Sequence, residues 1–216
     1  MAMPNSIDGL METKANELPK DIHFDLLRGI YQGNTRSLII DPFGDKELLD
    51  FLLRVRPFYF STRDSGDSRL PTAVVAEYVH DNVVTSRQVA DRIHDEYQRR
   101  EEIPPLGKFI KGAECREKNL IVHLALAQLG YPSIVVGGWA RLPKESGLHK
   151  WVEVPITHEV VDAVLGEAMP KKEYYDKFHV DLFYLGNKLP TVYARPHHKI
   201  WGWAISRNNF EFRRPD

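Results

Sequence analysis

Cysteine, net charge and long apolar runs are what this sequence has least of. One cysteine in 216 residues rules out an intramolecular disulfide. The formal net charge is −1, so no field of one sign exists to gather nucleic acid or an anionic membrane. The basic pairs Arg99-Arg100 and Arg213-Arg214 are short and read as solvated surface. No apolar run approaches the ~20 residues that span a bilayer, and the longest, Ile121 to Leu129, is interrupted by His123 and Gln128. The opening Met-Ala-Met-Pro-Asn-Ser-Ile-Asp-Gly lacks the basic start and apolar centre of a secretory leader. A cytoplasmic protein with no nucleic-acid or membrane partner is expected.

What is present fits a globular chain: 43% hydrophobic and 27% charged residues, enough for a sizeable core. Residues 1 to about 20 have no clear period. Apolar spacing predicts a short helix from Ile22 to Gly33, a brief strand over Ser37 to Ile40, and a helix over Lys46 to Arg56 stopped by Pro57. Ser61 to Ser68 reads as a loop, and Leu70 to His80 as a helix after Pro71. Thr85 to Arg100 is a helix that Ser86 can cap. Glu102 to Gly112, with Pro104, Pro105, Gly107 and Gly112, delivers the chain as a loop to Cys115. Arg116 to Leu129 is strongly helical and stops at Gly130, with Pro132 beyond. Ser133 to Ala140 and Lys150 to Val154 read as strands, Val160 to Tyr175 as partly helical, Phe178 to Leu185 as a strand, and the aromatic tail as one or two more. Helices followed by strands predict an α+β domain. Residues 1–84 form a helical N-terminal extension or cap, and 85–216 the core.

The chemistry centres on Gly112-Ala113-Glu114-Cys115-Arg116-Glu117. A cysteine at a helix N-terminus meets the positive end of the helix dipole, which favours the thiolate, the reactive form. Nearby backbone N–H groups can stabilise a tetrahedral oxyanion. A thiolate also wants an imidazole partner that later protonates the leaving group. His149, at the start of a strand in Gly147-Leu148-His149-Lys150-Trp151-Val152-Glu153-Val154, is the candidate. Composition alone reads Cys115 as an inert core residue and His149 as structural; the two motifs together reverse that.

The segment from Gly112 to Val154 resembles the core of the transglutaminase-like superfamily. There a Gly-x-Cys motif opens a helix, a Leu-Gly-hydrophobic-Pro turn ends it, and a small-residue strand precedes one bearing His-Ala-Trp-Val-Glu-Val. The corresponding stretches are Gly112 to Cys115, with the glycine one residue further away, Leu129-Gly130-Tyr131-Pro132, Ser133 to Trp139, and His149 to Val154. Lys150 replaces the usual alanine and is expected to be harmless at a surface-facing position. The resemblance implies a papain-like or transglutaminase-like fold, with the cysteine helix on an antiparallel sheet. It also implies an aspartate on the strand after the histidine. Asp162, in Val160-Val161-Asp162, has the usual spacing; Asp181, in Val180-Asp181-Leu182, has the better strand context and is preferred. Neither is followed by proline.

The implied activity is attack of Cys115 on an amide of a peptide, protein or peptide-derived substrate, resolved by water (peptidase, amidase, deamidase) or by an amine (transamidase). No cofactor or metal is called for. Trp139 and Trp151 are candidates for core or for a substrate-lining wall. Glu153 reads as a partner within the sheet. His197-His198 with His179 have poor metal-ligand spacing, because adjacent strand residues face opposite ways. Gly137-Gly138 lacks the Lys-Ser/Thr of a phosphate loop. The competing reading is a non-catalytic peptide- or protein-binding module that keeps this fold.

Overall fold

The computed structural model describes residues 29–32, 36–64, 71–143 and 146–180, and three two-residue strands at 192–193, 204–205 and 212–213. In order these form β1 (Gly29–Gln32), β2 (Ser37–Ile40), α1 (Lys46–Asp64), α2 (Pro71–Asn82), α3 (Arg87–Arg99), a 3₁₀ turn (Leu106–Lys111) and α4 (Cys115–Gln128). Then come β3 (Ile134–Arg141), β4 (Ser146–Val154), β5 (Glu159–Asp162), β6 (Glu167–Pro170), α5 (Lys171–Lys177), β7 (Val192–Tyr193), β8 (Ala204–Ile205) and β9 (Phe212–Arg213). The main sheet is antiparallel in the order β3-β4-β5-β6. β2-β1-β9 form a second small sheet and β7-β8 a ribbon. The class is mixed α+β.

Strand periodicity divides the core in two, because successive side chains leave a strand on opposite faces. Val135, Val152, Val154 and Val161 pack with α1, α2 and α4 in the larger cluster. Ile134, Val136, Trp151 and Val160 pack on the other face with Tyr174 and Phe178. Every residue of α4 from Glu117 to Gln128 is buried, as expected of a helix covered on all sides. Side chains from β2, α1 and α2 share the larger cluster with α4 and the sheet.

The stretch that leads into α4 is fixed on both sides. Ala113 N–H donates to Val84 O (2.9 Å), and Ser86 N–H donates to Ala113 O (3.0 Å). Ser86 Oγ caps α3 by accepting from Val89 N–H at 3.3 Å. Val89 presses so closely on Gly112 that an added Cβ would stand 2.2 Å from its Cγ1. Close approach to α3 is thus what Gly112 provides.

Four expectations are corrected. Residues Gly29 to Gln32, read as helix, are a strand paired with β2. α1 runs through Pro57 to Asp64, so Ser61 to Asp64 are helical. Pro57 is exposed, so the carbonyl it leaves unserved lies on the solvent side. The buried series Leu48, Leu52, Val55 and Tyr59 continues across it; packing outweighs the local penalty. Finally, Val161 to Ala168 are a β5–β6 hairpin. Gly166 turns it at φ +71°, and Asp162 Oδ1 accepts from Val164 N–H at 2.9 Å, an Asx-type turn. Phe178 to Val180 follow α5 without forming a strand, and His179 has φ +46°.

Gly112→Ala should cost about 1–3 kcal/mol, the usual penalty for a group forced into a packed site. Urea unfolding followed by circular dichroism measures it; a loss below about 0.5 kcal/mol would mean that Val89 yields freely.

Candidate active site

Cys115 is the first residue of α4 and is half-buried. The helix start is built from charge. Glu117 Oε2 accepts from Glu114 N–H at 3.0 Å, satisfying a donor near the helix start. Its other oxygen takes the Arg116 guanidinium, with Nε at 2.8 Å. That guanidinium also reaches His94 Nε2 (2.9 Å) and Arg36 O (3.1 Å). Burial acts to raise the Glu117 carboxyl, but the charge and hydrogen bonds of Arg116, with the His94 ring nearby, outweigh it and hold the group at about 2. Burial, with Glu117 close by, raises Glu114 above the usual carboxylate range.

β5 ends at Asp162 while β4 continues toward its own start at Ser146. The pairing Val152↔Val161, continued, would set Lys150 opposite Ala163. At that point the side chain of Asn119 stands between the strands. Its Nδ2 donates to Lys150 O (2.6 Å) and to Cys115 O (2.9 Å), and its Oδ1 accepts from Ala163 N–H (3.1 Å). One amide therefore replaces a ladder bond and ties Cys115 to the neighbours of both His149 and Asp162.

His149 is buried and its Nε2 lies 2.7 Å from Asp162 Oδ2. Cys115 lies close enough to this ring to act on it electrostatically. Burial disfavours a charged imidazole, but hydrogen bonds and charge from Asp162 and Cys115 prevail and raise it to about 10. Tyr174 OH donates to the same Asp162 oxygen at 2.7 Å. Burial and the Asp162 charge raise that phenol far above its ordinary value, so it remains a donor. Burial acts to raise Asp162 itself, yet its bonds to His149, Tyr174 and Val164 keep it below the ordinary carboxylate range.

Of the residues singled out by sequence, Cys115, His149 and Asp162 are brought together. Asp181 lies outside the described residues. Its preference over Asp162 depended on the stretch from Val160 being partly helical, whereas Asp162 ends a strand of the β5–β6 hairpin. Trp139 is 39% exposed on β3, but Trp151 is fully buried, which corrects its candidacy as a substrate-lining residue. It packs beside the His149 ring, 6.2 Å between centroids, and supports that ring from within the second core. Glu153 accepts from Lys171 Nζ (2.7 Å) and Tyr175 OH (2.6 Å). Lys150 is half-buried rather than surface-facing. Asn119 and Tyr174 carry roles that sequence reading missed. A polar Asn inside the apolar Asn119-Leu120-Ile121-Val122 was a visible signal for the first. Tyr174 had none, since its contact arises only when α5 folds back over the sheet. Among the described residues no group of His, Cys, Asp and Glu could hold a metal ion. His197 and His198 lie outside the described residues.

Asn119→Ala should destabilise the fold by about 2–6 kcal/mol, because Lys150 O and Ala163 N–H lose a buried partner, each worth about 1–3 kcal/mol. Alkylation of Cys115 should slow in the same variant. Equal stability by urea titration would show that the strands simply close up. For Glu117, a folded value near 2 lies below the unfolded 4.5. Its contribution is therefore present above about 4.5 and disappears as pH falls through about 2. Glu117→Gln should flatten the stability–pH curve in that window; an unchanged slope in acid titrations would refute this.

Comparison with known proteins gives no match to a family model, a curated protein or a solved structure.

Proposed function

We propose that this chain is a thiol-dependent acyl-transfer enzyme of the transglutaminase-like kind, acting on an amide of a peptide, protein or peptide-derived substrate. The observation that carries the reading is the buried pair of His149 and Asp162, with 2.7 Å between Asp162 Oδ2 and His149 Nε2, beside Cys115 at the start of α4, which acts electrostatically on the same ring. A buried carboxylate that holds one ring nitrogen beside a thiol is the arrangement that orients an imidazole as proton carrier.

In this mechanism the Cys115 thiolate attacks the amide carbon, and the carbonyl π electrons move to oxygen. First-turn N–H groups of α4, which have no helical acceptor, are suited to receive that oxyanion. As the C–N bond breaks, the imidazolium gives its proton to the departing amine, leaving a thioester and a neutral imidazole. Water or a second amine then attacks the thioester, passes a proton to His149 and releases Cys115. Asp162 keeps its charge throughout and stabilises the imidazolium, while Tyr174 fixes the carboxylate. The site needs no metal for these steps. No helix among the described residues is long and apolar enough to cross a membrane.

Iodoacetamide should modify Cys115 rapidly near pH 7, and His149→Ala should slow it on the order of 10²-fold, the lower range for loss of a positioned acid–base group. Hydroxylamine added with a panel of peptide amides should yield hydroxamates that Cys115→Ala does not produce. A labelling rate equal to that of free cysteine at every pH would remove the basis for this function. The raised His149 also sets the alkaline side: the imidazolium is retained below about 10, so kcat/KM should decline only as pH rises through that value. Asp162→Asn should shift the decline to lower pH; an identical profile would exclude Asp162 from the site.

A further inference from the structure

The strand pairing puts Gly137 opposite Lys150 and Trp139 opposite Leu148. Cross-strand partners share a face, here the face whose Val135 and Val152 belong to the larger core with α4. Lys150 lies one pair outward of those valines and Trp139 with Leu148 one further, where they are 39% and 58% exposed. The Lys150 stem folds over its partner strand, so a Cβ added at Gly137 would stand 3.1 Å from Nζ. The groups of α4 that act electrostatically on this ammonium are Cys115, Arg116 and Glu117. A half-buried cation thus lies over Gly137, where a side chain would crowd it, and within electrostatic reach of the nucleophile's helix turn.

We infer that Lys150 is a specificity-determining residue that pairs with a carboxylate close to the scissile carbonyl of the acyl donor. This rests on the acyl-transfer reading above and narrows its substrate class to amides bearing such an anion. A lysine ammonium recognises a carboxylate as a point charge, without the fixed fork of arginine. Burial pushes Lys150 down to about 7, with Arg116 adding to this and Cys115 and Glu117 opposing it. An arriving carboxylate favours the charged form and meets a partly desolvated partner, where a charge-assisted hydrogen bond is strongest.

Two probes of nearly the same shape test this. Iodoacetate carries a carboxylate beside its reactive carbon; iodoacetamide carries a neutral amide there. The ratio of their rates at Cys115 cancels the fraction of thiolate, so it reports recognition alone. Glutathione, measured alongside, gives the ratio for an unassisted thiol. Wild type should prefer iodoacetate more than glutathione does. Lys150→Met should lower the ratio about tenfold, the order expected for losing a hydrogen bond between charged groups, while Lys150→Arg retains most of it. Gly137→Ala should lower it as well, because the new methyl displaces Nζ. Ratios equal to wild type in both Lys150→Met and Gly137→Ala, with folding checked by circular dichroism, would overturn the inference. Failure of the underlying function is distinct: iodoacetamide would then react at the free-cysteine rate and ignore His149→Ala.

Discussion

The geometry of the site depends on the Asn119 side chain standing where a backbone ladder bond would otherwise form. Its amide takes the Lys150 carbonyl and the Ala163 N–H, groups that the β4–β5 register would have paired directly. Each is held near the middle of the protein, where an unmet polar group is costly. Because the third contact goes to Cys115 O one helical turn earlier, α4, β4 and β5 are fixed against one another by a single residue. That position lies in the apolar stretch of the helix, so the polar side chain is retained by its three bonds and not by solvent.

The charges around this clamp have a common logic. The α4 start keeps Glu117 ionised although buried, because Arg116 and His94 surround it. Across the sheet, Asp162 is kept ionised by His149 and Tyr174. Both carboxylates are paired or hydrogen-bonded on each oxygen, the condition under which interior charge is tolerated. Lys118 extends the pattern: its Nζ donates to His80 O at 3.2 Å, and burial lowers it to about 8 while Asp162 and Asp81 act the other way.

The elements nearest the chemistry were the most legible. The Gly130 stop, the Pro132 break and the alternating Ile134-Val135-Val136 determine α4 and β3 locally, so periodicity was enough. Cys115 at a helix start and His149 on a strand followed from the same patterns. The choice between Asp162 and Asp181 was not readable because Val160-Val161-Asp162 is short and both faces of its strand are buried; continuous burial removes the alternation that marks a strand. The turn at Gly166 was the available correction. Pro57 shows the opposite failure, a strong local signal overridden by the apolar stripe to either side. Tyr174 and the Asn119 contacts are tertiary, and one-dimensional spacing carries no trace of them beyond an out-of-place amide.

The division of the core has a mechanical consequence. Cys115 belongs to a helix seated in the larger cluster, whereas His149 and Asp162 share a sheet face with Trp151 and the α5 aromatics of the smaller one. The sulfur and the ring are therefore carried by different slabs, joined at the edge where the strands part. The approach of sulfur to ring is thereby set by how the two layers seat on each other, and not by the packing of either interior alone.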